Sequence, residues 1–424
     1  MKHKIYISLY TIMHFALAIG LIYPFTYCIF QALTRGIIKV PALYIVGILL
    51  MMFSFVLING KVSKILPSNF SVFLLYGIII ICMLTRGNQM LSILLEYIFA
   101  MACCLMISKT DKWAQTLYKI LVIIGLFYSL TVIIQALRPD QFYSFARPLF
   151  PELYQEKFIF LKATGYNSGL TTQVAIVCCY IMLGFSVLFA NIYVDSVENK
   201  KRNFLHVALL LISVSAILLS GKRAALVFSF FSVMIFCFFA ASNLGKRFKI
   251  LFGVSIAAFL VYSIGIPLIE SYFSELFPTV SRLITLMESG DIGNGRYYYW
   301  NLGIELIKKY PMLGVGWENY ITESGARFNC HNIYIQLLAE LGIPIGSAVI
   351  ALMIIIWNKT RVLLQKCVHS GNEHIYKVAI CFSFLTQTYL LSYGFAGNPL
   401  YDPEYIAFYF ISIMSFAMVN YFCR

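Results

Sequence analysis

"CHNIYIQLLAELGIPIGSAVIALMIIIW" runs from Cys330 to Trp357. From Ile333 onward it is nearly all apolar and long enough for a helix to cross a bilayer. Its polar groups are not scattered. From Asn332, Gln336 and Glu340 follow at i+4 and i+8, so the three form one stripe down a helix. A stripe of this kind does not face lipid, where unsatisfied polar groups are costly, so it is expected to face the bundle or a wet cavity. An intramembrane ionisable group is a functional candidate, and the bland alternative is a structural hydrogen bond between helices. Pro344 is expected to bend the helix below the stripe, and Gly342 and Gly346 to allow another helix to approach.

The rest of the chain repeats this apolar pattern. Of 424 residues 60% are hydrophobic and only 12% charged, about half the charged share of a soluble domain. Blocks of about 17–25 apolar residues predict twelve spans, at 5–27, 41–59, 70–85, 91–107, 117–137, 171–191, 204–220, 224–242, 250–268, 333–357, 378–396 and 405–423. The fold class is all-α, a polytopic membrane helix bundle of about 12 transmembrane helices. No polar linker divides it, so residues 1–424 read as a single integral membrane domain. The first block follows Met-Lys-His-Lys as a signal peptide would, yet it is long and lacks an A-x-A site, so it reads as a span. Most of the eleven cysteines lie inside apolar blocks and read as small hydrophobes; Cys330 sits in a polar loop with no obvious partner. No CxxC pair or His/Cys cluster points to a metal, and no motif calls for a cofactor.

Charge sets the expected orientation. With the N-terminus inside, the inner segments hold 18 of the 32 basic residues, from Lys2 and Lys4 to Lys377 and Arg424, and only Asp111, Asp195, Glu198 and Glu373 among the acids. The entire net charge of +14 then lies on one side. The excess is explained by topology and asks for no nucleic-acid partner. Both termini are expected in the cytoplasm.

Two outer segments exceed ordinary connector length: a first outer loop over 138–170, and a large one over about 269–332. The second is expected to be partly helical. In "GRYYYWNLGIELIKKYP", Gly295 to Pro311, the residues Trp300, Gly303, Ile304 and Ile307 share one helix face. Lys308 and Lys309 suit its last turn and Pro311 its end. It is too short and polar to span, so it is placed against the membrane surface. "GVGWENY", Gly314 to Tyr320, is no dinucleotide fingerprint, since no strand precedes it and no third glycine follows. "SGKR", Ser220 to Arg223, fails the P-loop spacing because position 216 is Ala and position 223 is Arg. Lys222 and Arg223 break the positive-inside pattern in the shortest loop of the chain. They snorkel at a helix end or hold an anion. His331, at the water interface, is either structural or catalytic.

Four of these pieces together resemble the O-antigen ligase/polymerase superfamily of bacterial membrane glycosyltransferases. "ATGYNSGLTTQVA" (Ala163 to Ala175) is similar to its Gly-aromatic-Asn segment, and "LLSGKRAAL" (Leu218 to Leu226) to its Ser-Gly-x-Arg turn. "GRYYYWNLGIELIKKYPMLGVGWENY" (Gly295 to Tyr320) resembles its Arg…Trp…Pro-x-x-Gly-x-Gly segment, and "HNIYIQLLAELGIPIG" (His331 to Gly346) its His-Asn helix. In the ligase pattern the second glycine after His-Asn falls at 345, which here is Ile; Gly346 comes one place late. The Arg-x10-Gly spacing described for polymerase loops is met by Arg282 to Gly293, and not by Arg138 or Arg147.

The resemblance implies a membrane glycosyltransferase at the outer face of the bacterial plasma (inner) membrane. Its donor is an oligosaccharide on a polyprenyl diphosphate, and its other partners are a glycan acceptor, membrane lipid and, for a polymerase, a chain-length regulator. A hydroxyl attacks the anomeric carbon and the lipid diphosphate leaves. No DxD-like carboxylate pair is present to hold a metal for the diphosphate, so cations must do so. Arg223, Arg296 and Lys222 are the candidates, arginine for its permanent charge and fixed fork. His331 is the candidate base or phosphate ligand, its ordinary pKa lying near neutrality. Asn332, Gln336 and Glu340 orient it or bind sugar; Tyr299, Trp300 and Trp317, with Tyr297 and Tyr298, stack on sugar or anchor at the interface. No carboxylate pair of the retaining type is evident, so single displacement with inversion is expected. Three readings stay open: a repeat-unit polymerase, towards which "GIPIG" tilts; a ligase passing finished glycan to lipid A-core or another acceptor; and, from another class, a flippase. The flippase reading expects two related halves, which are not evident.

Overall fold

In the computed structural model the described residues are 45–49, 66–86, 91–107, 112–150, 152–201, 203–243, 245–249, 252–253, 256, 263 and 295–423. Among them every regular element is helical. The helices are α1 (Leu66–Arg86), α2 (Leu91–Ile107), α3 (Lys112–Leu137), α4 (Pro139–Ala146), α5 (Glu152–Ala163), α6 (Val174–Val197), α7 (Phe204–Leu219), α8 (Arg223–Ala240), α9 (Arg296–Lys309), α10 (Tyr320–Ser324), α11 (Ile333–Val368), α12 (His374–Tyr393) and α13 (Pro403–Phe422). Six are long and apolar enough to cross a membrane: α1, α3, α6, α8, α11 and α13. Nine of the twelve expected spans coincide with a helix. The span at 5–27 and most of those at 41–59 and 250–268 lie outside the described residues, as do Arg282 and Gly293.

The bundle is ordered by burial. Within their most apolar windows, α13 is 83% buried and α6 78%, against 28% for α8 and 39% for α3, so the first pair are central and the second pair peripheral. At the crossing of α3 and α6, a Cβ on Gly125 would come within 2.7 Å of the Gly184 Cα, so only glycine lets these backbones meet. Polar side chains join helices inside the bundle. Gln387 donates to Thr360 Oγ1 at 3.1 Å, the Trp357 indole to Thr388 Oγ1 at 2.9 Å, and Tyr118 to Ser415 Oγ at 2.8 Å.

Contacts at the two ends of the bundle follow an up-and-down order. At one end Tyr97 donates to the Leu400 carbonyl and Ile333 N–H to the Gly394 carbonyl. At the other, Lys377 pairs with Glu198 at 2.9 Å, and Lys359 donates to Ser71 Oγ at 3.1 Å. The first end, where the described parts of the two long loops lie, carries the candidate site. The 138–170 segment folds as α4, a 3₁₀ turn at Arg147–Leu149, and α5, closed over Phe142, Phe150 and Phe158.

α11 departs from expectation. Its break is at Gly342 (φ 77, ψ 167), two residues before Pro344, which sits in the first turn of the second half where a missing N–H does no harm. Gly342 admits a loop and not another helix: a Cβ there would lie 2.4 Å from the Met312 carbonyl oxygen. Gly346 approaches its own chain, facing the Leu337 carbonyl.

Candidate functional site

The break in α11 is where "PMLGVGW" docks. Ile343 N–H donates to the Pro311 carbonyl at 2.7 Å, Val315 N–H to Ala339 at 3.0 Å, and Gly316 N–H to Glu340 at 2.8 Å. Backbone groups freed by the break are thus satisfied by the loop. A Cβ on Gly314 would sit 2.3 Å from the Glu340 carbonyl oxygen, which explains the first glycine of the pair.

The polar stripe faces inward and works as a clasp. Glu340, fully buried, accepts from Glu318 N–H (2.8 Å), Tyr320 N–H (3.2 Å), Gln336 Nε2 (3.0 Å) and the Tyr401 phenol (2.5 Å). Gln336 also accepts from Cys330 N–H at 3.2 Å and donates to Asn329 Oδ1 at 3.3 Å. Asn332 caps α11, its Oδ1 accepting from the N–H groups of Tyr334 (3.1 Å) and Ile335 (3.2 Å). The Glu340 and Gln336 side chains and the Asn332 Oδ1 are therefore spent on protein. Trp317 is likewise committed: it is fully buried, stacked on Tyr401 at 4.5 Å, with the edge of Tyr97 at 6.2 Å. It offers no face to a sugar. Cys330 lies in the loop before α11, as expected, and is buried there beside the Tyr299 carbonyl.

Helix α9 lies against the first half of α11, along a face centred on Gly303 and Leu306. A Cβ on Gly303 would meet Ile335 at 2.6 Å. Ile304, expected on that face, is 39% exposed, while Leu306 is buried with Tyr320, Ala326, Cys330 and Ala339. Trp300 is half-buried along this contact, edge-on to Tyr297 at 5.2 Å. Tyr297 and Tyr298 are exposed. Tyr299 is half-buried, with its ring 6.2 Å from the His331 ring and near perpendicular to it.

The "GYNSG" and "SGKR" segments meet directly. Asn167 donates from its N–H to the Ser220 carbonyl (3.1 Å) and from Nδ2 to the Leu219 carbonyl (2.6 Å). Ser220 Oγ accepts from Lys222 N–H at 3.1 Å and lies 3.4 Å from Cys178 Sγ on α6. This turn presents Lys222 and, as the first residue of α8, Arg223. Arg296 opens α9 behind Gly295, whose positive φ of 75 turns the chain. His331 holds a positive φ of 55, rare for a residue with a side chain, just before the Asn332 cap.

These segments converge electrostatically. Burial first, then Arg296 and Lys222, lower the His331 pKa to about 4, so the imidazole is neutral at pH 7. Burial likewise lowers the Lys222 pKa, with Arg296 and Arg223 adding and Asp402 opposing. Asp402, the half-buried residue before α13, belongs to none of the sequence motifs; its one sequence signal is an acid in a short turn ahead of Pro403. Burial raises its pKa to about 6 against the pull of Lys222. Among the described residues, the side chains of Lys222, Arg296, His331 and Asp402 make no hydrogen bond or ion pair to protein. Donors and acceptors left unspent in a partly buried cluster are available to a ligand. No three His, Cys, Asp or Glu side chains gather as metal ligands would among the described residues.

The fold is that of a multi-pass membrane helix bundle, and the cationic, histidine-bearing cluster is its candidate site. Residues 208–350, about a third of the chain, match a family described as Wzy_C, O-Antigen ligase. That stretch carries the SGKR turn, Arg296 and the His-Asn helix, so the likeness to the O-antigen ligase/polymerase superfamily stands, and a glycan-ligase or polymerase type of membrane function is supported. No curated protein matches the chain.

Proposed function

We propose that the protein polymerises polyprenyl-diphosphate-linked oligosaccharide repeat units into a surface polysaccharide, at the outer face of the bacterial plasma membrane. The observation that carries this reading is the unspent cluster of Lys222, Arg296 and His331 at one end of the bundle. The departing diphosphate requires fixed positive charge, and such groups aimed at developing charge are worth several kcal/mol. Arg223, at the head of α8, supplies a further cation. His331, neutral at pH 7, serves as base or as hydrogen-bond partner of a phosphate oxygen. Tyr299 beside it is the aromatic best placed to meet a sugar, and Trp300 sits one residue on. The chemistry needs no metal in this scheme, and a chain-length regulator is the partner a polymerase calls for.

A second reading, a ligase handing finished glycan to an acceptor, is favoured by the description of the matching family. The late glycine at Gly346 favours the polymerase. Glycan ladders from cells carrying His331→Ala or Arg296→Lys separate the two. A lost polymerase leaves single repeats on the final acceptor, and a lost ligase leaves long glycan stranded on the lipid carrier. A lost flippase leaves carrier-linked units at the inner face. Unchanged ladders in both variants overturn the site assignment.

A further inference from the structure

Asp402 lies outside every motif named above, yet two adjacent residues of α6 bring it to the site. Cys178 Sγ sits 3.4 Å from Ser220 Oγ, in the turn that presents Lys222. Cys179 Sγ, one residue on, lies 3.7 Å from the Glu404 carbonyl in the first turn of α13. The SGKR turn and the start of α13 therefore meet over the same end of α6. From the other side, Tyr393 stacks on Tyr405 of α13 at 5.0 Å, and the neighbouring Gly394 carbonyl accepts from Ile333 N–H, two residues after His331. Asp402 and Arg296 both lie within electrostatic reach of Tyr393.

We infer that Asp402 takes the proton of the acceptor hydroxyl, while His331 serves the diphosphate or the acceptor as a hydrogen-bond partner. This rests on the glycosyl-transfer reading above. In the step, the acceptor O–H bond breaks and its proton passes to an Asp402 carboxylate oxygen. The freed oxygen forms a bond to the anomeric carbon, the bond from that carbon to the phosphate oxygen breaks, and its electron pair leaves with the lipid diphosphate. The configuration at carbon inverts.

Three observations favour Asp402 as the base. Its carboxylate is half-buried and makes no side-chain cap to its own helix, unlike Glu340, whose oxygens are taken by four donors. It is the carboxylate within reach of Lys222, which itself feels Arg296, so the proton acceptor lies beside the cations that hold the leaving group. Burial holds it up at about 6, near working pH, whereas burial and two cations hold His331 down at about 4. A base of higher pKa that is still ionised takes the proton more readily. Among the described residues, the titratable groups facing Asp402 are Lys222 from the SGKR turn, Cys179 from α6, Tyr393 from α12 and Glu404 on its own helix.

The test compares wild type, D402N, D402E and R296A in two assays: turnover of lipid-linked glycan in membranes across pH, and binding of undecaprenyl diphosphate to the purified full chain. D402N is expected to bind the diphosphate at least as tightly as wild type and to lose turnover by about 10²–10⁴-fold, with its acid limb gone. D402E retains part of the rate with a displaced acid limb, and wild-type turnover falls as pH drops through about 6. Turnover of D402N within tenfold of wild type, or an unchanged acid limb, overturns the inference. If D402N fails to bind diphosphate and so has not folded, the acid limb of D402E decides: displaced supports, unchanged overturns. R296A binding diphosphate and turning over like wild type overturns instead the parent reading of the site.

Discussion

The Tyr401 phenol donates to Glu340 Oε2 across 2.5 Å, fastening the chain before α13 to the polar stripe of α11. The same carboxylate receives two backbone N–H groups from the loop between α9 and α10 and its surroundings. An intramembrane acid that invites a catalytic reading therefore holds together the segments that carry Arg296, His331 and Asp402.

Glu340→Ala strands four donors, at about 1–3 kcal/mol for each buried group left unpaired. The 311–320 segment is expected to detach. Limited trypsinolysis should cut faster at Lys308, Lys309 and Arg327, and detergent-solubilised protein should unfold at lower temperature. Glu340→Gln, which keeps an acceptor, should fall between. Equal cleavage of Glu340→Ala and wild type refutes the clasp.

Gly342→Ala places a side chain where φ is 77 and ψ 167, and within 2.4 Å of the Met312 carbonyl. That region of backbone is essentially reserved for glycine, with strain of about 1–3 kcal/mol before the clash is added. The expected result is a lower Tm and lost glycan transfer, with Pro344→Ala much milder because the break precedes it. The two variants measured side by side locate the break.

His331 titrates low in the folded protein, about 4 against its ordinary 6.5. The folded state thus binds fewer protons between those values, and the stability tied to neutral His331 is full above about pH 6.5 and lost as pH falls towards 4. Wild type should lose more Tm across that window than His331→Gln. In Arg296→Ala the His331 pKa should rise, read by NMR of labelled histidine. No rise would place Arg296 away from the imidazole.

At the opposite end, Lys200 first, with Lys377 and His374, lowers the Glu198 pKa to about 2 against burial. This contribution is full above about pH 4.5 and disappears as pH falls towards 2. Glu198→Gln should lower Tm at neutral pH while leaving glycan ladders unchanged in any protein that reaches the membrane. Altered ladders at normal abundance would tie this end to function.

Much of the helical layout was legible in the sequence. Apolar length is a local property, so α1, α2, α7, α8 and α13 fall within a few residues of the expected spans, and the 3.6-residue period placed α9 between Gly295 and Pro311. The inward direction of the Asn332–Gln336–Glu340 stripe also followed from the cost of polar groups in lipid. Period alone did not orient α9: Gly303 fits tightly against Ile335, which buries Leu306 and turns Ile304 outward.

The sequence by itself determined that this is a helical membrane protein, where its long apolar helices and α9 lie, and which residue types are unusual for their positions, because each depends on neighbours in the chain; the helices α4, α5 and α10 appear only in the structure. Only the tertiary structure decided that Trp317, Gln336 and Glu340 are spent on holding a loop, and that Asp402 stands within reach of Lys222. Those relationships join distant parts of the chain, and a hydrogen bond or charge pair depends on distance in space, which no local pattern encodes.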